Sequence, residues 1–270
     1  MNKCIIILLF LFLFRPHCNY LFGQQNEISP FNLDFTREAV ILGIGSASAL
    51  TAYLILNNIP TLTAEEINSL NPSNVNSFDR GAIGPFKADN TGDALLYFSI
   101  LLPSTFLAYD KTRNDIAELA LMYAEVLLMQ GSINGIVKES VLRTRPYVYS
   151  NETAMNEKTT TEARISFYSG HTSICAAASF FTAKAFSEYL KDQTAKILIW
   201  SGAAILPAAM AYLRVNSHWH FPTDVITGYA VGALIGYFIP EFHKTKIDED
   251  VSIYPSIDIS RPALSLQLKF

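Results

Sequence analysis

The chain has 270 residues, half of them hydrophobic, and a formal net charge of −4. That length is long for one compact domain and short for two, and the apolar share suits an all-helical core or a small membrane bundle. There is no basic excess to recruit nucleic acid, so the cations that matter are few and individually placed.

Residues 1–25 pass from Lys3 through the apolar segment Cys4 to Phe14 and turn polar after Arg15-Pro16-His17. So short an apolar core has the proportions of a secretory signal, with cleavage expected near Gly23 or Gln24; an uncleaved anchor is the alternative. Losing that segment removes Cys4 and Cys18 and leaves Cys175 alone, so no intramolecular disulfide is expected. Ala39 to Leu56 is uncharged and long enough for a short membrane span, or for a buried helix of a soluble bundle. Asn57 to Asp93 reads as a long loop beside a pocket, with a short helix at Ala64-Glu65-Glu66-Ile67. Phe78-Asp79-Arg80 in it reads as an ion pair that orders the loop, with a substrate-side contact as the alternative.

Ala94 to Ala108 is a second apolar run, closed by the charged turn Asp110 to Asp115. A third, Ile116 to Val137, carries Glu118 and Glu125 on one face and leads into Lys138. Carboxylates at such depth face a bundle interior, so pairing there, or simple exposure on a soluble helix, is the expectation for both. Lys138 and Arg145 stand seven apart, which predicts one shared helical face, with Pro146 stopping the helix. Tyr147 to Phe167 is a polar connection. Ser169-Gly170-His171 opens the next helix, where free backbone N–H groups favour an anion. Ser173 to Leu190 is apolar apart from Lys184, and Ile197 to Leu213 leads back to Arg214. Pro222 suits the first position of a last helix, in which Gly228, Gly232 and Gly236 recur every four residues, as close helix packing requires. Residues 30–243 are read as one domain and 244–270 as a tail, in which Leu264 to Phe270 alternates as a strand does. That strand is expected to dock on another surface or to remain a free end.

Arg214, His218, His220 and Asp224 lie between two apolar runs, at the mouth of a helical pair. With Lys138, Arg145 and the helix start at Gly170-His171, they describe a phosphate site. His220 has both the arginine and the aspartate spacing, which His218 lacks. Arg143 reads as a solvated cation, and Trp219 and Tyr168 as pocket wall.

Lys-x6-Arg-Pro, Ser-Gly-His and Arg-x5-His-x3-Asp, in this order between apolar helices, resemble the motifs of the type 2 phosphatidic acid phosphatase (PAP2) superfamily. That superfamily includes lipid phosphatases, class A acid phosphatases and vanadium haloperoxidases. The resemblance covers about residues 90 to 240, an ordinary domain length. Two positions depart from the pattern: Tyr168 stands for the usual proline before Ser-Gly-His, and Leu213 for the usual serine before the arginine. The resemblance implies an all-α six-helix bundle of the PAP2/haloperoxidase type, membrane-embedded, with a short strand-like C-terminal tail.

It also implies roles. His220 attacks phosphorus and forms a phosphohistidine, Asp224 fixes its tautomer, and His171 protonates the leaving oxygen. Lys138, Arg145, Arg214, Ser169 and Gly170 hold the phosphate oxygens, and no metal or cofactor is required. The expected substrate is the phosphate monoester or pyrophosphate of a membrane lipid: phosphatidate, phosphatidylglycerophosphate, isoprenoid pyrophosphate or lipid A. A secreted periplasmic acid phosphatase is the alternative, ahead of a vanadium haloperoxidase or a non-enzymatic membrane scaffold. Placing Lys111, Arg113, Lys191 and Lys196 inside puts the site on the periplasmic face of a bacterial inner membrane; a soluble periplasmic protein is the other arrangement.

Overall fold

The computed structural model describes residues 29–245, 252–258 and 261–267. The expected signal or anchor over residues 1–25 lies outside the described residues. Among the described residues ten α-helices follow in order: α1 (Phe35–Leu56), α2 (Ala64–Ser69), α3 (Ser77–Arg80), α4 (Asn90–Leu101), α5 (Asp110–Asn114), α6 (Ile116–Val141), α7 (Met155–Lys158), α8 (Gly170–Tyr189), α9 (Gln193–Asn216) and α10 (Pro222–Phe242). Six of these, α1, α4, α6, α8, α9 and α10, form the bundle, as the apolar runs predict.

Among the described residues five segments are long and apolar enough to cross a membrane: Phe35–Leu56, Asn90–Ala108, Ile116–Tyr149, Gln193–Asn216 and Pro222–Phe242. Their outward faces carry Val40, Ile44, Leu50 and Leu54 on α1 and Ile197, Leu198 and Ile205 on α9, all exposed. So much uncovered apolar surface is what a membrane-embedded belt presents. The sixth helix, α8, is the exception, because it is wrapped by α4, α6, α9 and α10. Its Cys175, Ala176, Ala177, Ala178, Phe181, Ala183 and Ala185 are all buried. Small side chains there let the neighbouring backbones close in.

The closest approach is with α10. A Cβ built on Gly232 would stand 2.1 Å from the Ser173 carbonyl oxygen, and one on Gly236 2.3 Å from that of Ala177. The glycine spacing is thus a packing seam. At the far end of the bundle Phe31, Phe106, Leu119, Met122, Phe181 and Ile239 form the main core cluster.

Helix starts follow side-chain capping. Asp34, Thr63, Asp89, Ser169 and Asp192 each accept a first-turn backbone N–H, of Arg37, Glu66, Gly92, Thr172 and Ala195 respectively. The end of α6 departs from expectation. Leu142 adopts φ 50°, and its N–H returns to the Lys138 carbonyl, so the helix closes before Pro146. Lys138 and Arg145 therefore do not share a helical face; Arg145 lies beyond the helix on extended backbone, its N–H donating to the Ala163 carbonyl.

Residues 57–93 are also more ordered than a loop. Leu62 and Ile67 pack with Tyr147 and Val148 over Phe86 and Trp219, roofing the site from the side. The tail strand has a partner within its own chain: β1 (Ser252–Asp258) pairs antiparallel with β2 (Arg261–Gln267), Pro255 opposite Leu264.

Candidate active site

Three segments meet at one end of the bundle: the α6 terminus with the residues after it, the start of α8, and the turn from α9 into α10. Arg214 is on the last turn of α9, and its carbonyl accepts the N–H groups of both Trp219 and His220. This folds the 217–221 turn back over the helix end and drops His220 inward, 1% exposed. His218 goes the other way. It takes φ 62°, and its Nδ1 lies 2.8 Å from the Ala82 carbonyl. Its ring fills the space beside Gly84, where an added Cβ would meet it at 2.5 Å.

The two His220 nitrogens have different surroundings. Nε2 lies 3.1 Å from Nη1 of Arg145. A guanidinium can only donate, so Nε2 is the lone-pair nitrogen and the proton sits on Nδ1. Nδ1 faces Asp224 Oδ2 at 3.5 Å, a contact too long for a hydrogen bond. Burial, and then the charges of Arg145, Lys138, Arg214 and His171, hold the His220 imidazole well below its usual pKa. It is therefore neutral across the physiological range.

Asp224 is fully buried and heavily held. Oδ2 accepts from the Ser166 hydroxyl at 2.5 Å and from the Phe221 N–H at 2.9 Å. Oδ1 pairs with Arg143. Arg143 also reaches Asp79 Oδ2 at 2.7 Å, and Asp79 in turn accepts from the Thr223 N–H at 2.9 Å and hydroxyl at 2.7 Å. Burial alone would raise the Asp79 carboxyl; hydrogen bonds from Arg143, Asn76 and Thr223 outweigh it and hold that pKa below the usual value. The expectation of Arg143 as a solvated cation is corrected: it bridges two buried carboxylates, Asp224 on α10 and Asp79, which α3 supplies from the supposed loop. The expected ion pair within Phe78-Asp79-Arg80 is also corrected: Asp79 pairs with Arg143, while Arg80 donates to the carbonyls of Ser73 and Val75.

Arg145 and Arg214 are both nearly fully buried. Their guanidinium carbons stand 5.0 and 4.8 Å from the Trp219 ring centroid, so one indole supports both cations. Arg145 is aimed by the Glu162 carboxylate at 2.8 Å and the Trp219 carbonyl at 3.0 Å. Arg214 is aimed by Asp89 at 3.1 Å. The Trp219 indole N–H is fixed by the Lys87 carbonyl at 2.8 Å.

At the start of α8 the Ser169 N–H donates to the Asp224 carbonyl, and its hydroxyl caps the helix. Gly170 has no room for a side chain: a Cβ there would lie 2.9 Å from Asn134 Oδ1 and 3.8 Å from Lys138 Nζ. The helix N-terminus and the Lys138 ammonium thus adjoin. His171 projects toward the mouth, with Nε2 3.0 Å from Asp93 Oδ1. Tyr168 is buried, and its carbonyl accepts from Asn134 at 3.0 Å.

All eight sequence-predicted residues, Lys138, Arg145, Ser169, Gly170, His171, Arg214, His220 and Asp224, therefore lie on the three segments that converge here. Sequence reasoning missed Asp79, Asp89, Asp93, Arg143, Glu162 and Ser166. The acids at 79, 89 and 93 sit in a polar stretch where only Asp89, before Asn90-Thr91-Gly92, carries a local signal, that of a helix cap.

Lys138, Arg145 and Arg214 thus surround a buried neutral imidazole beside the N-terminus of α8. Residues 119–248 match the family model described as the PAP2 superfamily. Among curated relatives, phospholipid phosphatase 1 of Rattus norvegicus is 26% identical over 183 residues, 57% of this chain and 64% of the relative. The lipid A 4'-phosphatase of Porphyromonas gingivalis is 36% identical over 73 residues, 27% of this chain and 28% of the relative. The chain thus spans less than two thirds of either. A transmembrane PAP2-type phosphatidylglycerolphosphate phosphatase from Bacillus subtilis covers 77% of this chain and 91% of its own at 20% identity, with a TM-score of 0.43.

Proposed function

We propose that the protein is a phosphatase that hydrolyses a phosphate monoester or pyrophosphate of a membrane lipid through a phosphohistidine on His220. The observation that carries this reading is the unprotonated Nε2 of His220 held beside Arg145 within the field of Lys138 and Arg214. A phosphoryl group drawn into that field presents phosphorus to a nitrogen lone pair, while the guanidiniums and the first N–H groups of α8 take its oxygens.

As Nε2 bonds to phosphorus, the imidazole gains positive charge, and the Asp224 carboxylate behind Nδ1 stabilises it as the 3.5 Å gap closes. The P–O bond to the lipid breaks, and His171 at the mouth gives the departing oxygen its proton. Asp93 orients His171. Water attacks the phosphohistidine, His171 takes a proton from it, and inorganic phosphate leaves. The exposed apolar belt supports a lipid substrate, as do the lipid phosphatases among the relatives. We place the mouth on the periplasmic face of a bacterial inner membrane, following the turn charges at Lys111, Arg113, Lys191 and Lys196.

The test is phosphate release by the purified full chain from phosphatidate, phosphatidylglycerophosphate, isoprenoid pyrophosphate and lipid A, with acid-labile labelling of the protein followed in parallel. His220→Ala should abolish both turnover and label, and His218→Ala should retain both. Equal labelling in wild type and His220→Ala, or label lost only in His218→Ala, overturns the nucleophile. Release confined to soluble esters overturns the lipid substrate.

A further inference from the structure

At the far end of the bundle, α1, α6 and α10 bring Glu38, Glu125 and His243 together. One donor atom from each lies within 4.8 Å of the other two. All three side chains are buried, at 4%, 0% and 0% exposure. His243 Nε2 is 2.8 Å from Glu38 Oε2 and 3.2 Å from Glu125 Oε2. Its other nitrogen, Nδ1, lies 2.7 Å from the Ile239 carbonyl, which can only accept. The ring is therefore oriented with Nδ1–H outward and Nε2 toward the carboxylates, the arrangement a metal-ligating histidine takes.

The carboxylates differ. Glu38 Oε1 is committed to Arg37, 2.7 Å away, and to the Asp34 N–H at 2.9 Å, which leaves Oε2 for the cluster. Glu125 has no such support: both its oxygens are buried without a hydrogen-bond partner. A single hydrogen on Nε2 would serve Glu38 and still leave Glu125 unsatisfied, at a cost of several kcal/mol for a buried charge. Tetrahedral donors about 2.1 Å from a zinc ion stand about 3.4 Å apart, inside the spread seen here.

We propose that Glu38, Glu125 and His243 form a binding site for a divalent first-row transition cation of the zinc type. One nitrogen and two carboxylate oxygens suit such an ion over magnesium, which keeps an all-oxygen shell. Asp224 and His243 are 19 residues apart along α10, about 30 Å at the helical rise, so the cation has no part in the chemistry at His220. It ties the first helix to the last. The backbone is already drawn together there, with the Asn32 N–H donating to the His243 carbonyl and Arg37 reaching the Phe242 carbonyl at 2.9 Å.

The experiment uses full-length protein in detergent, stripped with chelator, then titrated with Zn2+ alone or Mg2+ alone. Bound metal is counted by elemental analysis and thermal unfolding is followed. One equivalent of Zn2+ per chain and a rise of several degrees in Tm are expected, with no response to Mg2+. Glu125→Gln keeps the shape of the side chain and should weaken Zn2+ binding at least about tenfold, as losing one charged ligand does. It should leave phosphatase turnover intact, which also reports that the variant is folded. His171→Ala should bind Zn2+ as the wild type does. No stoichiometric Zn2+ and no Tm shift in wild type, an equal response to Mg2+, or unchanged affinity in Glu125→Gln would each overturn the site and leave a proton shared among the three side chains.

Discussion

Arg143 and Asp224 are joined across 81 residues of chain by an ion pair that also recruits Asp79, so the carboxylate behind His220 is held by a cation whose second partner is another buried carboxylate. Arg143→Met strands two carboxylates that are both 0% exposed, and breaking a buried pair in this way costs about 3–5 kcal/mol. Thermal unfolding in detergent should show that loss. Arg143→Lys should recover part of the stability, yet less of kcat, because an ammonium cannot fork between Asp79 and Asp224.

Trp219 supports both Arg145 and Arg214, so its removal should act on anion binding before it acts on the fold. Each partly buried cation–π contact is worth about 0.5–2 kcal/mol. Loss of both contacts in Trp219→Leu should therefore lower kcat/KM about 5- to 900-fold by the usual conversion. Trp219→Tyr, which keeps an aromatic face, should lie between. A Leu variant with wild-type kcat/KM would show that the two guanidiniums need no platform.

The depressed pKa of His220 fixes the direction of a pH effect. Below the unfolded value of about 6.5 the unfolded chain takes up a proton that the folded site refuses, so stability falls with pH by up to about 1.4 kcal/mol per unit from this group. His220→Gln should lack that component between neutral pH and pH 5. Asp79 acts in the same direction at lower pH: its lowered folded pKa contributes stability above the unfolded carboxylate value, lost as pH falls through the folded one. Asp79→Asn should remove that acid-side slope. Parallel stability curves for wild type and His220→Gln would contradict a buried neutral imidazole.

Two glycines should respond oppositely to the same substitution. Gly232→Ala drives a methyl group into the Ser173 carbonyl oxygen and should cost at least about 1–3 kcal/mol, as overpacking does. Gly43 in α1 has nothing within 4 Å of an added Cβ. Gly43→Ala should therefore be neutral or stabilising by up to about 1 kcal/mol, through helix propensity alone. Comparing the two Tm values checks the seam.

The bundle was legible because apolar runs of membrane length leave little choice of element, and the site because three spaced motifs carry both of its histidines and the cations Lys138, Arg145 and Arg214, though not the carboxylates that aim those cations. Local termination was not. Leu142 ends α6 in a left-handed conformation that leucine seldom adopts, so Pro146 drew the expected boundary too late, and the shared face of Lys138 and Arg145 went with it. Arg143 was misread because its partners, Asp79 and Asp224, lie 64 and 81 residues away. Spacing rules see one helix turn, whereas an ion pair through the core sees only space. The turn toward Ala82 that removes His218 from the site depends on Gly84, 134 residues earlier in the chain by number, and leaves no trace beside the histidine itself.

The seam between α8 and α10 also bears on how the protein meets bilayers of different thickness. Ser169 and Asp224 are linked backbone to backbone, N–H to carbonyl at 3.0 Å, and beneath them the two helices touch main chain to main chain. A thinner or thicker membrane is accommodated by tilting helices, and these two can tilt only as one body. The register between Ser169 and Asp224 is thus insulated from the lipid, and the adjustment falls first on α1, the least buried of the candidate spans.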